Sequence, residues 1–199
     1  MRVVVKFLFL ILLLAGVAPI TPAQKKLPSA EKIVDNYLKA LGGKKSVSAV
    51  KDATYNWTIQ FNEQPFGTAR TQRKPPSSER WELTFGNGQI ISGTNTRSAW
   101  QLGLDNHLRT LTGPESAAAK LRATLDSSRL VDFKKLNVLA RVVSLGDAGS
   151  EPAYIVEFST RSGARFQYYF SVKTGLITKI IGEKTKVVFD KYQKVDNFK

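Results

Sequence analysis

The stretch YNWTIQF, residues 55–61, decides the fold class of this chain. Aromatic and aliphatic side chains alternate in it with polar ones, which is the period of a strand with one apolar and one polar face. The same alternation returns in WELTF, residues 81–85, and in several short stretches after Asn137 that tight turns separate. The pattern predicts a domain built mainly from antiparallel strands.

Two segments with helical spacing interrupt the strands. The first follows Ser29, a good N-cap, and ends at Gly42-Gly43, and its apolar residues form a single stripe. The second, from Pro114 to Phe133, is alanine-rich and is broken at Asp126-Ser127-Ser128, so it predicts a pair of short helices. A long sheet must curl or close. We therefore predict an α+β fold, in which a curved antiparallel sheet forms an incomplete, half-open barrel covered by the N-terminal helix and the mid-chain helical pair.

The N-terminus has the features of a secretory signal peptide. Arg2 and Lys6 precede an uncharged apolar run over residues 7–18, and small residues follow at 21–23. The run gives way to prolines before reaching the roughly 20 residues that a membrane-spanning helix needs. We expect cleavage before Gln24, export to the periplasm, and a single domain over residues 24–199. The chain has no cysteine, so it can form no disulfide and cannot carry lipid on an N-terminal cysteine.

The chain is strongly basic, with 30 Lys and Arg against 16 Asp and Glu and a formal net charge of +14. Such an excess favours anionic partners, among them phospholipid headgroups. The basic residues are scattered in short pairs without a long block, which is typical of a solvated surface. We expect contact with an anionic membrane surface and no binding of nucleic acid, which an exported protein seldom meets.

Few residues are suited to catalysis. His107 is the only histidine, so a metal site built from several histidines is excluded. Its neighbours predict an exposed turn, which does not favour a Ser-His catalytic pair. Cysteine nucleophiles and thiolate metal ligands are excluded. Glu79 and Glu82 fall on opposite faces of their predicted strand and cannot act as a carboxylate pair. We predict no catalytic residue, no metal site and no cofactor, and therefore a protein that is not an enzyme.

The aromatic side chains offer a different chemistry. Trp57, Trp81 and Trp100 are the only tryptophans, and each lies on a predicted strand. Any one of them could simply be a core residue. Together, however, they could line a cavity on the inner face of a sheet that closes imperfectly over helices, because the mouths of barrels are common ligand sites.

Three motifs carry a resemblance to a known family. Lys74-Pro75-Pro76 is followed by Trp81 and then by NTRSAW, residues 95–100. In this order the chain resembles the bacterial periplasmic lipoprotein carriers of the LolA-like superfamily, of the outer-membrane lipoprotein-sorting type. The opening helix ending in Gly42-Gly43-Lys44 and the passage from Tyr168 to Leu176 are also similar. Thr96 stands where the family has a turn glycine, and Lys74 where its best-studied members have arginine, whose planar fork lysine lacks.

The resemblance implies an apolar cavity for acyl chains beneath a helical lid. We accordingly expect a monomeric periplasmic carrier or chaperone for lipoprotein acyl chains or other lipid-like cargo, with residues 114–133 as a weakly packed, mobile cover and Lys74 as a candidate lid latch. Because family members continue with further strands, either the chain is truncated at its C-terminus or its sheet ends early. The alternative is an envelope regulatory or sensor protein that uses the same fold to bind a protein partner. The candidate ligand-binding residues are Tyr55, Trp57, Ile59, Phe61, Trp81, Leu83, Phe85, Trp100, Leu121 and Leu125.

Overall fold

The computed structural model describes residues 26–149, 151–183, 185–189 and 191–194. The predicted signal peptide and its cleavage site lie outside these residues. None of the helices within the described ranges is long and apolar enough to cross a lipid bilayer.

The strands form two antiparallel sheets in which neighbours in sequence are neighbours in space. The bounds in the first sheet are β1 Ala53–Phe61, β2 Gln64–Lys74, β3 Ser78–Phe85, β4 Gly88–Thr94, β5 Ala99–Leu102 and β6 Leu108–Thr110. Those in the second sheet are β7 Leu139–Asp147, β8 Pro152–Ser159, β9 Arg165–Ser171, β10 Ile177–Ile181 and β11 Lys186–Val188. Over the described residues the two sheets do not join into a closed barrel. The predicted α+β class, with antiparallel strands and covering helices, is confirmed.

Three α-helices accompany the sheets in the described part of the chain. Helix α1, Ala30–Ala40, begins at the predicted cap, where the Ser29 hydroxyl accepts a hydrogen bond from the Lys32 amide at 3.3 Å. A short helix that the sequence analysis missed follows the two glycines: α2, Lys44–Ala49. Helix α3 spans Gly113–Ser128.

The mid-chain segment differs from the predicted helical pair. Helix α3 continues through Asp126-Ser127-Ser128 and stops only at Arg129, whose φ of 52° is left-handed. The Ser127 hydroxyl donates to the backbone carbonyl of Ser78 at 2.8 Å, so this polar residue anchors the helix to the first sheet. The expected second helix is a single 3-10 turn, Phe133–Leu136.

The hydrophobic core lies between the second sheet, α1, and the C-terminal half of α3 with the 3-10 turn that follows it. Its most deeply buried large side chains are Phe158, Phe170, Leu121 and Leu125. The first sheet contributes mainly small residues to the buried set, notably Ala69 and Ala99. Most of the apolar burial that stabilises the fold is therefore on the side of the second sheet.

This packing corrects two predictions. Leu121 and Leu125 are each only 1% exposed and pack in the core, so they do not line a ligand site. The view of residues 114–133 as weakly packed is also wrong for the C-terminal half of the segment, since Ala123, Leu130 and Phe133 are buried there too. Residues 113–115 at the start of α3 are exposed, and the alanines that follow them are half-buried.

Candidate ligand-binding face

The strand register brings most of the predicted site residues to one face of the first sheet. Tyr55 pairs with Thr71 and Thr71 with Trp81, and directly paired residues point to the same side. Side chains two residues apart share that side as well. We call this the inner face, because α3 packs on it. Its further members include Trp57, Ile59, Ala69, Arg73, Glu79, Leu83, Phe85 and Ile90.

Helix α3 covers only one end of the inner face, near Arg73, Glu79 and Ala99. Beyond it the apolar side chains are half-buried or exposed, and Trp57 is 47% exposed. We call this uncovered part the apolar shelf, and it consists of Trp57, Ile59, Trp81, Leu83, Phe85 and Ile90. At a strand rise of about 3.3 Å per residue, the shelf runs about 13 Å along β3 from Trp81 to Phe85.

More apolar side chains extend the shelf toward the hairpin ends. Phe66 stacks on Phe85 with ring centroids 5.1 Å apart. Leu104 lies against Gly88, where a β-carbon would collide with it. Phe61 follows the irregularity in pairing after Ile59 and is 69% exposed at the end of β1. The distal half of the inner face thus carries several large apolar side chains that are half-buried or exposed, and exposed apolar patches often mark binding sites in soluble proteins.

Trp57 and Tyr55 are held in place at the edge of the shelf. The indole N–H of Trp57 donates to the Thr71 hydroxyl at 3.0 Å, and the Tyr55 and Trp57 rings stack at 5.9 Å. The guanidinium of Arg73 lies 5.3 Å from the centroid of the Tyr55 ring. Since the polar atom of Trp57 is already bonded, its exposed surface is the apolar part of the ring.

Trp100 is not part of this site. It pairs with Gly93, which adjoins Ser92, the partner of Trp81, so its side chain projects from the opposite, outer face. There the indole covers Gly93, leaving no room for a β-carbon, and the Arg80 guanidinium lies 6.0 Å from its ring centroid. The expectation that the three tryptophans line one cavity is wrong for Trp100.

A cluster of charged side chains joins the covered end of the inner face to α3. Arg73 donates through Nε to Glu79 at 2.9 Å and through Nη2 to Asp126 at 2.8 Å. Arg122 donates through Nη2 to the other Glu79 oxygen at 3.2 Å. The Tyr168 hydroxyl, from the second sheet, donates to Asp126 at 3.3 Å. This charged cluster therefore connects both sheets through α3.

Burial dominates the electrostatics of the cluster. It raises the pKa of the Asp126 carboxyl above its ordinary value, and the nearby Arg73 guanidinium offsets part of that rise. Burial also raises the pKa of the Tyr168 hydroxyl well above its ordinary value. The tyrosine consequently stays protonated and remains a hydrogen-bond donor to Asp126.

Lys74, the candidate latch, does not reach the helix. Its side chain is exposed, and no ion pair among the described residues includes it. The contact between β2 and α3 belongs to the preceding residue, Arg73, because alternation along the strand turns Arg73 inward and Lys74 outward. Sequence analysis missed Arg73, although its place two residues after Thr71 and four after Ala69 put it on the apolar side of the strand.

The remaining polar candidates are Glu79, Glu82 and His107. Glu79 lies on the inner face and Glu82 on the outer face, which confirms that they do not form a carboxylate pair. His107 has an exposed side chain in a turn, 3.7 Å from Asp105. Within the described ranges, no group of three or more acidic or histidine side chains is placed to hold a metal ion. A polar groove of about 470 Å³ is lined mainly by outer-face residues, namely Asn56, Thr58, Thr68, Arg70, Glu82 and Thr84.

Comparison with known proteins adds little to this geometry. No protein-family model matches the chain, and no curated protein does. Among solved structures, the chain is similar to a DUF1329 family protein from Desulfovibrio piger, with a TM-score of 0.47 and 14% sequence identity over 84% of this chain and 81% of that one. A similarity this distant does not assign the chain to that family.

Proposed function

We propose that this protein binds the alkyl or acyl chain of a lipid-like ligand on the apolar shelf, as an exported carrier or chaperone. The observation that carries the proposal is the shelf itself: apolar side chains from β1 to β4 share one face, and α3 leaves them half-exposed. Each methylene that such a ligand buries is worth about 0.8 kcal/mol, so a chain lying along β3 would bind without any catalytic group. The predicted export signal and the poor catalytic inventory support the same role.

Binding of an uncharged apolar probe tests this proposal. N-phenylnaphthylamine should become fluorescent and saturate on the wild-type protein. Leu83→Asn places an amide in the middle of the shelf and should weaken probe binding about tenfold, since a buried leucine contributes roughly 1.5–3 kcal/mol. The matched control is Val143→Asn, which changes an exposed aliphatic residue on β7 of the second sheet and should leave the affinity unchanged.

The outcomes separate the proposal from its main alternative. Failure of the wild-type protein to bind the probe, or equal binding by the Leu83→Asn variant, would rule out a lipid-binding shelf. A regulatory protein that docks a protein partner on this face would then become the better explanation.

Quenching of tryptophan fluorescence can locate the bound alkyl chain on the sheet. We expect ω-bromoundecanol, an uncharged ligand with a contact quencher at its end, to quench Trp57 and Trp81 and to spare Trp100, which lies on the other side of the sheet. Trp100→Phe should therefore keep nearly all of the saturable quenching. The double variant Trp57→Phe with Trp81→Phe should lose most of it. Strong saturable quenching of Trp100 alone would place the ligand on the outer face instead.

A further inference from the structure

Arg122 stands where the apolar shelf meets α3. Its guanidinium binds Glu79, and Glu79 directly precedes the shelf on β3, since Trp81 is the next inward-facing residue. The Arg122 side chain is 43% exposed and is held by a single hydrogen bond of 3.2 Å. A guanidinium has five N–H donors, so Arg122 has donors to spare for a ligand beyond the one that binds Glu79.

The two arginines of the charged cluster are matched by two carboxylates, Glu79 and Asp126, whereas Lys120 forms no ion pair with the described residues. Glu79 already accepts from Arg73, so its charge is shared between two arginines. Two residues before Arg122 on α3, the Lys120 ammonium donates to the backbone carbonyl of Arg97 at 2.9 Å, in the turn between β4 and β5. Lys120, together with the partly exposed guanidinium of Arg122, thus gives the helix-covered end of the inner face a positive character, whereas the opposite end of the shelf, at Phe66, Phe85 and Leu104, is apolar.

From this polarity we infer that the ligand is an anionic amphiphile, whose charged headgroup is bound by Arg122 while its alkyl chain extends along β3 past Trp81 and Leu83 toward Phe85. The inference rests on the proposed function, because it assigns a headgroup to the chain that the shelf binds. It also assigns a direction to the ligand, with its charged group at the helix and its tail at the hairpin ends. A carboxylate or phosphate suits a guanidinium through paired, charge-assisted hydrogen bonds.

Competition between headgroups tests the inference. Dodecanoate, dodecyl maltoside and dodecyltrimethylammonium, each kept below its aggregation concentration, would displace N-phenylnaphthylamine from the protein. We expect dodecanoate to displace the probe at about tenfold lower concentration than either of the others, because a hydrogen bond to a charged group is worth about 1.5 kcal/mol. Arg122→Gln should remove this advantage, and Arg122→Lys should restore part of it.

The matched control is Arg141→Gln. Arg141 also donates through Nη2 to a glutamate, Glu157 at 2.9 Å, but it lies on β7 in the second sheet. This variant should behave like the wild-type protein. Equal affinities for the three ligands, or an equal loss of affinity for all three in the Arg122→Gln variant, would overturn the inference. Either result would leave the lipid-binding shelf intact. Failure of every ligand to displace a bound probe, or of the probe to bind, would instead count against the proposed function.

Discussion

Replacing Phe158 by alanine is expected to lower the free energy of unfolding by about 4 kcal/mol. Phe158 is fully buried on β8, and its ring makes edge-to-face contacts with the rings of Phe133 and Tyr168, with centroids 5.5 Å and 5.1 Å apart. Truncation would remove these contacts and leave a cavity where the second sheet meets the 3-10 turn after α3. Because small domains are stabilised by only about 5–15 kcal/mol, the loss would be a large share of the total.

The matched control is Phe66→Ala in the first sheet. Phe66 is 47% exposed and stacks on one ring, so its removal should cost less than about 1 kcal/mol. Guanidinium-induced unfolding followed by circular dichroism measures both variants. If the Phe158→Ala variant does not fold, the Phe158→Leu variant should still show a clearly lower free energy of unfolding than the wild-type protein. Similar losses for Phe158→Ala and Phe66→Ala would contradict a core concentrated on the second sheet.

Replacing Arg73 by methionine should lower the free energy of unfolding by about 3 kcal/mol. Methionine keeps most of the apolar volume of the arginine stem but leaves Glu79 and Asp126 without the cation that binds both. The side chain of Glu79 is only 6% exposed, so water can do little to compensate. The control is Lys74→Met at the neighbouring exposed position, where we expect a change within about 0.5 kcal/mol.

The loss of stability in the Arg73→Met variant should also depend on pH. Burial raises the pKa of Asp126 and Arg73 counteracts part of that rise, so the folded-state pKa climbs further in the Arg73→Met variant while the unfolded-state value stays the same. A carboxyl whose pKa is raised in the folded state binds its proton more tightly there, so its protonation favours folding as the pH falls through that pKa. The difference in stability from the wild-type protein should therefore be larger at pH 8 than at pH 5. A pH-independent difference would show that lost packing, rather than an unpaired carboxylate, is the cause.

Much of the fold could be predicted from the sequence because its signals are local. Alternation over residues 55–61 and 81–85 fixes an extended backbone with two unlike faces, and Ser29 caps a helix through an amide three residues away. The same alternation predicted that Tyr55 and Trp57 share one side of their strand and that Trp81, Leu83 and Phe85 share one side of theirs. The strand register confirms both predictions. The alternation also separated Glu79 from Glu82, which needs nothing beyond the period of a strand.

The features that could not be predicted from the sequence depend on contacts between residues that are far apart along the chain. The α+β class and the alternating faces of single strands follow from local periodicity, but which faces meet is a matter of register between strands. Register places Trp100 on the outer face, over Gly93, and turns Arg73 rather than Lys74 toward α3. Likewise, Asp126 and Ser127 read as a helix break, yet they continue α3 because their partners, Arg73 and Ser78, come from the first sheet, 53 and 49 residues away. The tertiary structure alone decided that Leu121 and Leu125 belong to the core and that the shelf stays open, because burial is set by which elements pack together and not by the apolar pattern of any one of them.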